Sequence, residues 1–280
     1  MIPATFDYEV AKSVDHAIAL LGERAEDAKL LAGGHSLLPA MKLRLTRPSV
    51  LVDIGRLAEL SYVRDGGEHV AIGALTRHRD VHHDPLLQVH CPVVSFAAGT
   101  IGDPQVRHRG TIGGTLAYGD PASDLPAVML ALDAELVVRG QGGERTVPAS
   151  EFFTGVFQTA IAPAEMLVEV RVPKRAAAGW SYTKMTRRAQ DWATVAVAAI
   201  VERTNGAVGK ASIGLTNMGA TPLRASAAED ALAGGATIAE AAALIPDGTD
   251  PSTDYAASAD FRRHLAKVLG RRALEEAVAR

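Results

Sequence analysis

The first 58 residues alternate short apolar runs with stretches of helical periodicity. Strands are predicted in three places, at residues 6–10, 29–35 and 50–54. Ser13 is predicted to cap a helix whose apolar face is formed by Val14, Ala17, Ile18 and Leu21. A second helical stretch, one or two turns long, is predicted from Ser36 to Leu45. The resulting β-α-β-α-β pattern has a glycine pair, Gly33-Gly34, where its second strand ends.

From residue 59 onward the pattern mixes strands and helices. Helices are predicted at 77–84, at 93–100 and directly after Asp124, and strands at 69–76, after the Asp124 helix and at 165–173. Three more strands are predicted at 181–188, 193–203 and 210–219, with Asn205-Gly206 as the hairpin turn between the last two. The chain after Arg224 is rich in alanine and is predicted to be helical. We therefore expect an α+β protein with a first, a second and a third segment, at 1–58, 59–175 and 176–280.

Composition excludes several classes of protein. The chain has 280 residues, of which 48% are hydrophobic and 22% are charged, and this is enough for a large core. The net charge of −3 and the scattered basic residues argue against nucleic-acid binding. No apolar run is long enough for a membrane span, and the N-terminus lacks the features of a signal peptide. A single cysteine, Cys91, excludes an internal disulfide, so a cytoplasmic protein is expected.

Two glycine-rich stretches are the strongest candidates for a binding site. They are Ala32-Gly33-Gly34-His35-Ser36 and Thr111-Ile112-Gly113-Gly114-Thr115. Neither is a GxGxxG fingerprint or a Walker loop. Glycine permits positive φ and lets a ligand approach backbone N–H groups, which bind anions together with hydroxyls such as those of Ser36, Thr111 and Thr115. Both loops together can hold the two phosphates of one dinucleotide, whereas either loop alone is equally consistent with a tight turn.

The same stretches carry a resemblance to a known family. AGGHSLLPAMKLR (32–44) and TIGGTLAYGDPASD (111–124) resemble the two flavin-binding signatures of the medium subunits of molybdenum hydroxylases. That family includes aerobic carbon monoxide dehydrogenase and xanthine dehydrogenase. The resemblance extends over the whole chain, through MIPATFDY, IGDPQVRHRGTIGG, RRAQDWATVA and ASIGLTNMG. Within the family, the chain most resembles the carbon monoxide dehydrogenase medium subunit.

The resemblance implies a fold and a set of site residues. Residues 1–175 would form an FAD-binding domain of the vanillyl-alcohol oxidase (PCMH) type, and 176–280 a small domain of three antiparallel strands with helices. Both glycine stretches would wrap the FAD pyrophosphate. By position in the motifs, Asp124 would hold the ribityl chain and Leu167 would lie near the adenine, while Lys184 and Trp192 would lie near the flavin ring. The sequence departs from the family at Thr115, where Asn is usual, and at Tyr118-Gly119, where smaller or polar residues are usual.

The resemblance also implies a reaction and partners. A molybdenum-cofactor large subunit would oxidise the substrate, an iron–sulfur small subunit would relay electrons singly, and the flavin would pass two electrons to an external acceptor such as a quinone. This chain would then be the flavin subunit, without catalytic residues of its own, in a dimer of heterotrimers that oxidises carbon monoxide. A quinone acceptor would bring the complex to the inner face of the membrane. A related hydroxylase acting on an N-heterocycle or aldehyde, a free-standing flavin oxidoreductase, and an assembly module without flavin are the alternatives.

Several polar residues have two interpretations. His78 and His82 have the i, i+4 spacing of a zinc site, but no third ligand is evident, so surface histidines are expected. An acid–base pair of His35 and Asp120 is an alternative to a site without catalytic residues.

Two sets of basic residues are equally ambiguous. Arg187-Arg188 is either a solvated strand end or a source of positive field near the flavin. The basic residues of the last helix are expected on a solvated face or, alternatively, on a surface that docks a partner subunit: Arg262, Arg263, Lys267, Arg271 and Arg272.

Overall fold

The structure, a computed structural model, describes residues 1–24, 27–204 and 207–280. The hairpin turn predicted at Asn205-Gly206 lies outside these ranges. Each of the three segments contains its own β-sheet. No helix within the described ranges combines the length and the apolar content needed to cross a membrane.

The first segment is a small parallel sheet with two helices. Its elements are β1 (Asp7–Val10), α1 (Val14–Arg24), β2 (Ala28–Leu31), α2 (Leu37–Lys42) and β3 (Val50–Asp53), with the strands in the order β1-β3-β2. Ser13 accepts a hydrogen bond from the His16 N–H at the start of α1, and the predicted apolar face is buried, so this part of the prediction is confirmed. Because the strands are parallel, their carboxyl ends share one edge, where open sheets bind ligands. The Gly33-Gly34 turn follows β2 at that edge.

The second segment is built on a five-stranded antiparallel sheet in the order β4-β5-β10-β6-β7. The strands of this segment are β4 (Val63–Asp65), β5 (His69–Gly73), β6 (Glu135–Gly140), β7 (Gly143–Pro148), β8 (Phe153–Gly155), β9 (Gln158–Thr159) and β10 (Met166–Pro173). The apolar pattern predicts β5, β6 and β10. It does not predict β4, β7 or the β8–β9 hairpin, because these strands are short or exposed; β7 buries only Val147.

Short helices cover this sheet. They are α3 (His78–His83), α4 (Pro85–His90), α5 (Pro92–Gly99), α6 (Pro104–Arg109), α7 (Ile112–Tyr118), α8 (Asp124–Ala131) and α9 (Ala149–Phe152). Proline opens α4, α5 and α6, where its fixed φ suits the first helical position. The sequence predicts α3, α5 and α8 but not α4, α6, α7 or α9. The second glycine stretch, predicted to be a loop, is the N-cap and first turn of α7.

The third segment is an antiparallel sheet in the order β11-β12-β13-β14, packed against helices. Its elements are β11 (Gly179–Met185), β12 (Val195–Thr204), β13 (Ala207–Thr216), β14 (Leu223–Arg224), α10 (Ser226–Ala233), α11 (Ile238–Leu244) and α12 (Ala259–Ala279). The three long strands overlap the three predicted ones, and β14 adds two residues. The predicted fold of three antiparallel strands with helices is therefore confirmed.

The helix α12 contains an exception to the predicted solvated basic face. Arg262 is only 1% exposed, and it donates hydrogen bonds to the carbonyl oxygens of Ser252 and Thr194 and to the carboxylate of Asp254. Both interpretations from the sequence are therefore wrong for this residue. The other basic residues of that set are exposed or half-buried: Arg263, Lys267, Arg271 and Arg272.

The strand β12 joins the second and third segments because both of its faces are buried. Val195, Val197, Ala199 and Val201 belong to a core cluster with residues of α10, α11 and α12. The alternate residues Ala196, Ala198 and Ile200 belong to the core of the second segment. On that second side lies α8, all of whose residues are buried. A strand with two buried faces requires a continuous apolar run, and VAVAAIV supplies it.

Candidate functional site

A cavity of about 830 Å³ lies where the three segments meet. The first segment contributes the turn after β2, the second contributes α7, the start of α8 and Leu167, and the third contributes Lys184 and Trp192. All site residues predicted from the sequence line this cavity except Ile112. The side chain of Ile112 is fully buried in the core of the second segment. The volume is in the upper part of the range found for small-molecule and cofactor sites.

The turn after β2 leaves backbone donors available in the cavity wall. Among the described residues, no protein acceptor binds the N–H groups of residues 33–36. Gly34 has φ of +76°, in the left-handed region that favours glycine. A Cβ atom on Gly33 would lie 2.2 Å from the carbonyl oxygen of Arg109, so glycine also lets the two predicted stretches approach each other. Unpaired N–H groups in such a turn are a binding site for an anionic group.

The second glycine stretch offers different groups, because the N–H groups of four of its five residues already donate within the protein. The N–H groups of residues 112–115 donate, in order, to Thr76 O, Ala74 O, Thr111 Oγ1 and Thr111 O, at 2.9–3.1 Å. A positive φ is expected for the glycines of both stretches. Gly34 has one, whereas Gly113 does not. Glycine is needed at 113 for packing, since a Cβ there would lie 2.5 Å from the Cβ of Ala74. The side-chain groups left for a ligand on this side are the hydroxyls of Thr111 and Thr115.

Next to Thr115 lies His78, a buried residue of the cavity wall. Its Nε2 is 3.0 Å from Thr115 Oγ1, and its Nδ1 has no partner among the described residues. Burial, reinforced by the positive charges of Arg107 and Arg77, lowers the pKa of His78 to about 3, so the ring is neutral near pH 7. The side chain is only 2% exposed, so the expectation of a surface histidine is wrong here. In the part of the chain that is described, no group of three or more histidine, cysteine or acidic residues is placed to hold a metal ion.

Asp124 and Lys184 form a buried ion pair in the cavity wall. The Lys184 Nζ lies 2.9 Å from Asp124 Oδ2, and the two side chains are 9% and 3% exposed, respectively. The Tyr182 hydroxyl donates to the other carboxylate oxygen, and the Lys184 ammonium also reaches the carbonyl oxygen of Thr100 at 3.3 Å. Burial raises the pKa of Asp124 although Lys184 opposes that shift, and burial together with Asp124 raises the pKa of Tyr182. The carboxylate is thus fixed at the cavity from two directions.

The remaining sequence candidates have local partners or lie at the rim. His35 Nδ1 lies 3.2 Å from Gly33 O, and the Asp120 carboxylate accepts a hydrogen bond from the Ala122 N–H. Trp192 lines the cavity with about half of its surface exposed. Arg187-Arg188 is exposed, and the guanidinium of Arg187 lies over the ring of Tyr255.

The wall side chains that sequence reasoning missed include His78, Tyr118 and Phe157. The ring centroids of Tyr118 and Phe157 are 5.0 Å apart, and Phe157 has φ of +55°. Tyr118 stands out in the sequence only as a departure from the family pattern. Phe157 lies between β8 and β9, whose short strands give no periodic signal. The burial of His78 follows from contacts with α7 that no local pattern encodes.

Comparison with known proteins places both parts of the chain in one family. A family model for the FAD binding domain in molybdopterin dehydrogenase matches residues 4–175, and one for the CO dehydrogenase flavoprotein C-terminal domain matches residues 180–277. The carbon monoxide dehydrogenase medium chain of Hydrogenophaga pseudoflava is 44% identical over 100% of this chain and 99% of its own. The 6-hydroxypseudooxynicotine dehydrogenase complex subunit alpha of Paenarthrobacter nicotinovorans is 39% identical over 100% of this chain and 97% of its own.

Solved structures agree with the family models. Carbon monoxide dehydrogenase from Hydrogenophaga pseudoflava lacking the Mo-pyranopterin moiety of its cofactor contains a chain that matches with a TM-score of 0.96 and 46% identity, over 100% of this chain and 99% of that one. Quinoline 2-oxidoreductase from Pseudomonas putida 86 matches with a TM-score of 0.95 and 31% identity, also over 100% and 99%. The predicted fold and the predicted cofactor, FAD, are confirmed. The chain belongs to the family of FAD-binding medium subunits of molybdenum hydroxylases.

Proposed function

We propose that this flavoprotein subunit holds FAD in the cavity between its three segments and passes electrons from iron–sulfur clusters to an external acceptor. The observation that carries the proposal is the turn at residues 33–36, whose N–H groups have no acceptor among the described residues and line a cavity of about 830 Å³. The polar groups of the wall suit a dinucleotide, because they combine anion-binding N–H groups with hydroxyls and the fixed carboxylate of Asp124, beside an aromatic rim.

Each group of the wall has a distinct role in this proposal. The N–H groups of residues 33–36 and the hydroxyls of Ser36, Thr111 and Thr115 bind the pyrophosphate. Asp124 accepts hydrogen bonds from the ribityl chain through lone pairs that Tyr182 and Lys184 leave available. Leu167 contributes an apolar surface for the adenine, and Lys184 and Trp192 lie beside the flavin ring. The backbone at Ile112 only supports the turn of α7.

Electron transfer requires partners because the chain cannot hold the donor. A [2Fe–2S] cluster needs four thiolates, and this sequence has one cysteine, Cys91, which is buried. When bound, FAD supplies the capacity to accept electrons singly and to release two of them. The chain's own residues therefore bind and orient the cofactor, and an iron–sulfur subunit and a molybdenum subunit complete the enzyme as a dimer of heterotrimers.

Carbon monoxide is the proposed substrate of that complex. The proposed electron acceptor is a quinone at the inner face of the membrane. The support is the 44% identity to a carbon monoxide dehydrogenase medium chain over the whole length. An N-heterocycle is the second candidate, because the quinoline 2-oxidoreductase chain has nearly the same fold at 31% identity.

Flavin absorbance tests the proposal in two steps. The purified chain should take up FAD and show the visible absorption of oxidised flavin, and carbon monoxide alone should not bleach it. Bleaching by carbon monoxide should require the iron–sulfur and molybdenum subunits. Bleaching by quinoline but not by carbon monoxide would overturn the substrate assignment only. Turnover of a small substrate by the isolated chain would favour the free-standing oxidoreductase.

A further inference from the structure

The two glycine stretches contribute different groups to the cavity. The first contributes backbone N–H groups, and the second contributes side-chain hydroxyls, including that of Thr115. The N–H groups of residues 112–115 all have acceptors inside the protein. The half-buried Thr115 lines the cavity, and its Oγ1 has a single described partner, the Nε2 of His78 at 3.0 Å. A hydroxyl has one donor hydrogen and two acceptor lone pairs, so the state of the imidazole decides what Thr115 offers to a ligand.

The surroundings of His78 favour one state of its ring. The ring is buried beside the positive charges of Arg77 and Arg107, and these conditions keep it neutral, with a single N–H. Nδ1 has no hydrogen-bond partner among the described residues. Buried N–H groups without an acceptor are rarer than buried acceptors without a donor. The hydrogen therefore belongs on Nε2, where Thr115 Oγ1 accepts it.

We propose that His78 is a positioning residue for FAD: its Nε2–H donates to Thr115 Oγ1, which leaves the Thr115 hydroxyl hydrogen to donate to a pyrophosphate oxygen. This inference rests on the proposed FAD site. Without His78, the hydroxyl can rotate and donate to another acceptor such as the i−4 carbonyl of its own helix. His78 thus sets the polarity of a two-step hydrogen-bond chain from the core to the cofactor.

The same two hydrogen bonds explain how threonine can occupy position 115, where the family usually has asparagine. An asparagine at 115 has an amide oxygen that accepts from His78 and an amide N–H that donates to the phosphate. Threonine provides the same two roles on one atom. Valine has the shape of threonine but neither role.

FAD dissociation constants, measured by fluorescence titration of the apoprotein, test the inference. Thr115→Val should weaken FAD about tenfold, since it removes a hydrogen bond to a charged acceptor. His78→Leu should weaken FAD binding to a similar extent. The double variant should be no weaker than Thr115→Val alone, because His78 acts through Thr115. Thr115→Asn should keep the wild-type affinity. A loss in His78→Leu that adds in full to that of Thr115→Val would overturn the proposal.

A second pair of variants guards against misfolding. The amide nitrogen of glutamine can replace Nε2, whereas that of asparagine lies near the position of Nδ1. His78→Gln should therefore retain FAD affinity and His78→Asn should lose it about tenfold. Equal affinities of these two polar variants would overturn the proposal. If the wild-type chain failed to bind FAD, the proposed function would be overturned as well. If the wild-type chain bound FAD and the His78 variants bound it with the same affinity, only this inference would be overturned.

Discussion

The ammonium group of Lys184 lies 2.9 Å from the carboxylate of Asp124, although Lys184 belongs to the third segment and Asp124 to the second. Lys184 is on β11, and Asp124 is the first residue of α8. Tyr182, two residues before Lys184 on the same strand, donates to the same carboxylate. The two segments are therefore joined by charge and hydrogen bonding in the wall of the cavity.

Asp124→Ala should destabilise the apoprotein and weaken FAD binding. Removal of one partner of a buried ion pair leaves the Lys184 ammonium uncompensated, at a cost of about 3–5 kcal/mol in the free energy of unfolding. Loss of the proposed contact with the ribityl chain should weaken FAD binding about ten- to hundredfold. Urea unfolding and FAD titration measure the two effects. Asp15→Ala is the control, because Asp15 is 77% exposed in its pair with Arg139. Unchanged stability of Asp124→Ala would contradict the structural role of the pair.

Gly34→Val should abolish FAD retention while the third segment stays folded. A β-branched side chain is strained at φ of +76° and shifts the N–H groups of the turn. Gly67→Val is a matched control, because Gly67 also has positive φ, +83°, but does not line the cavity. Both variants should lose stability, and only Gly34→Val should lose flavin. Normal flavin content in Gly34→Val would mean that the turn does not contact the cofactor.

Gly113→Val should also lose FAD, but through packing. The added Cβ would lie 2.5 Å from that of Ala74, so α7 must move away from the chain after β5. The shift displaces Thr115 and Thr111 together. Gly114→Ala is the milder comparison, since its Cβ would displace only the Thr111 hydroxyl, and it should retain more of the flavin than Gly113→Val. Flavin content after gel filtration distinguishes the two.

His78 should make the apoprotein less stable as pH falls. Its pKa is about 3 in the folded protein against an ordinary value of 6.5, so between these values the unfolded chain binds a proton that the folded chain does not. The stability present above pH 6.5 is therefore lost below it, by about 1.4 kcal/mol per pH unit. Between pH 7 and pH 5, His78→Gln should lose about 2 kcal/mol less than wild type in urea unfolding. His108→Gln, at an exposed position, should follow the wild type. If His78→Gln and wild type lost the same stability between pH 7 and pH 5, the prediction would be contradicted.

Arg262→Ala should destabilise the third segment far more than Arg263→Ala. The first change leaves the carbonyl oxygens of Ser252 and Thr194 without their donor, at a cost of about 2–4 kcal/mol. Arg263 lies on the partly exposed side of the same helix, and its loss should cost at most about 0.5 kcal/mol. Equal urea midpoints would contradict the internal role of Arg262.

The sequence predicted the elements that have strong local signals and missed those that tertiary contacts create. The first segment follows its apolar periods, and β12 is recognisable as a continuous apolar run. The helix α7 was not predictable from propensity, because two glycines open it; the Thr111 cap and packing against Ala74 override that preference. Charge patterns misled at Arg262, whose acceptors, Thr194, Ser252 and Asp254, all lie outside its own helix. The turn at 33–36 was identified because glycine there answers a local backbone requirement.

The cavity is walled by all three segments, and this determines how the protein melts. A ligand that contacts every segment loses those contacts when any one of them unfolds, so its binding stabilises them jointly, by about 2.7 kcal/mol at a hundredfold excess over its dissociation constant. In calorimetry the apoprotein should show an early transition for the first segment, because its core cluster is separate from the two larger clusters and takes from the second segment only Leu60, Leu75, Val137, Met166 and Val168. The FAD-loaded protein should melt in a single, later transition. FAD bound in this cavity would therefore hold the three segments together in addition to carrying electrons.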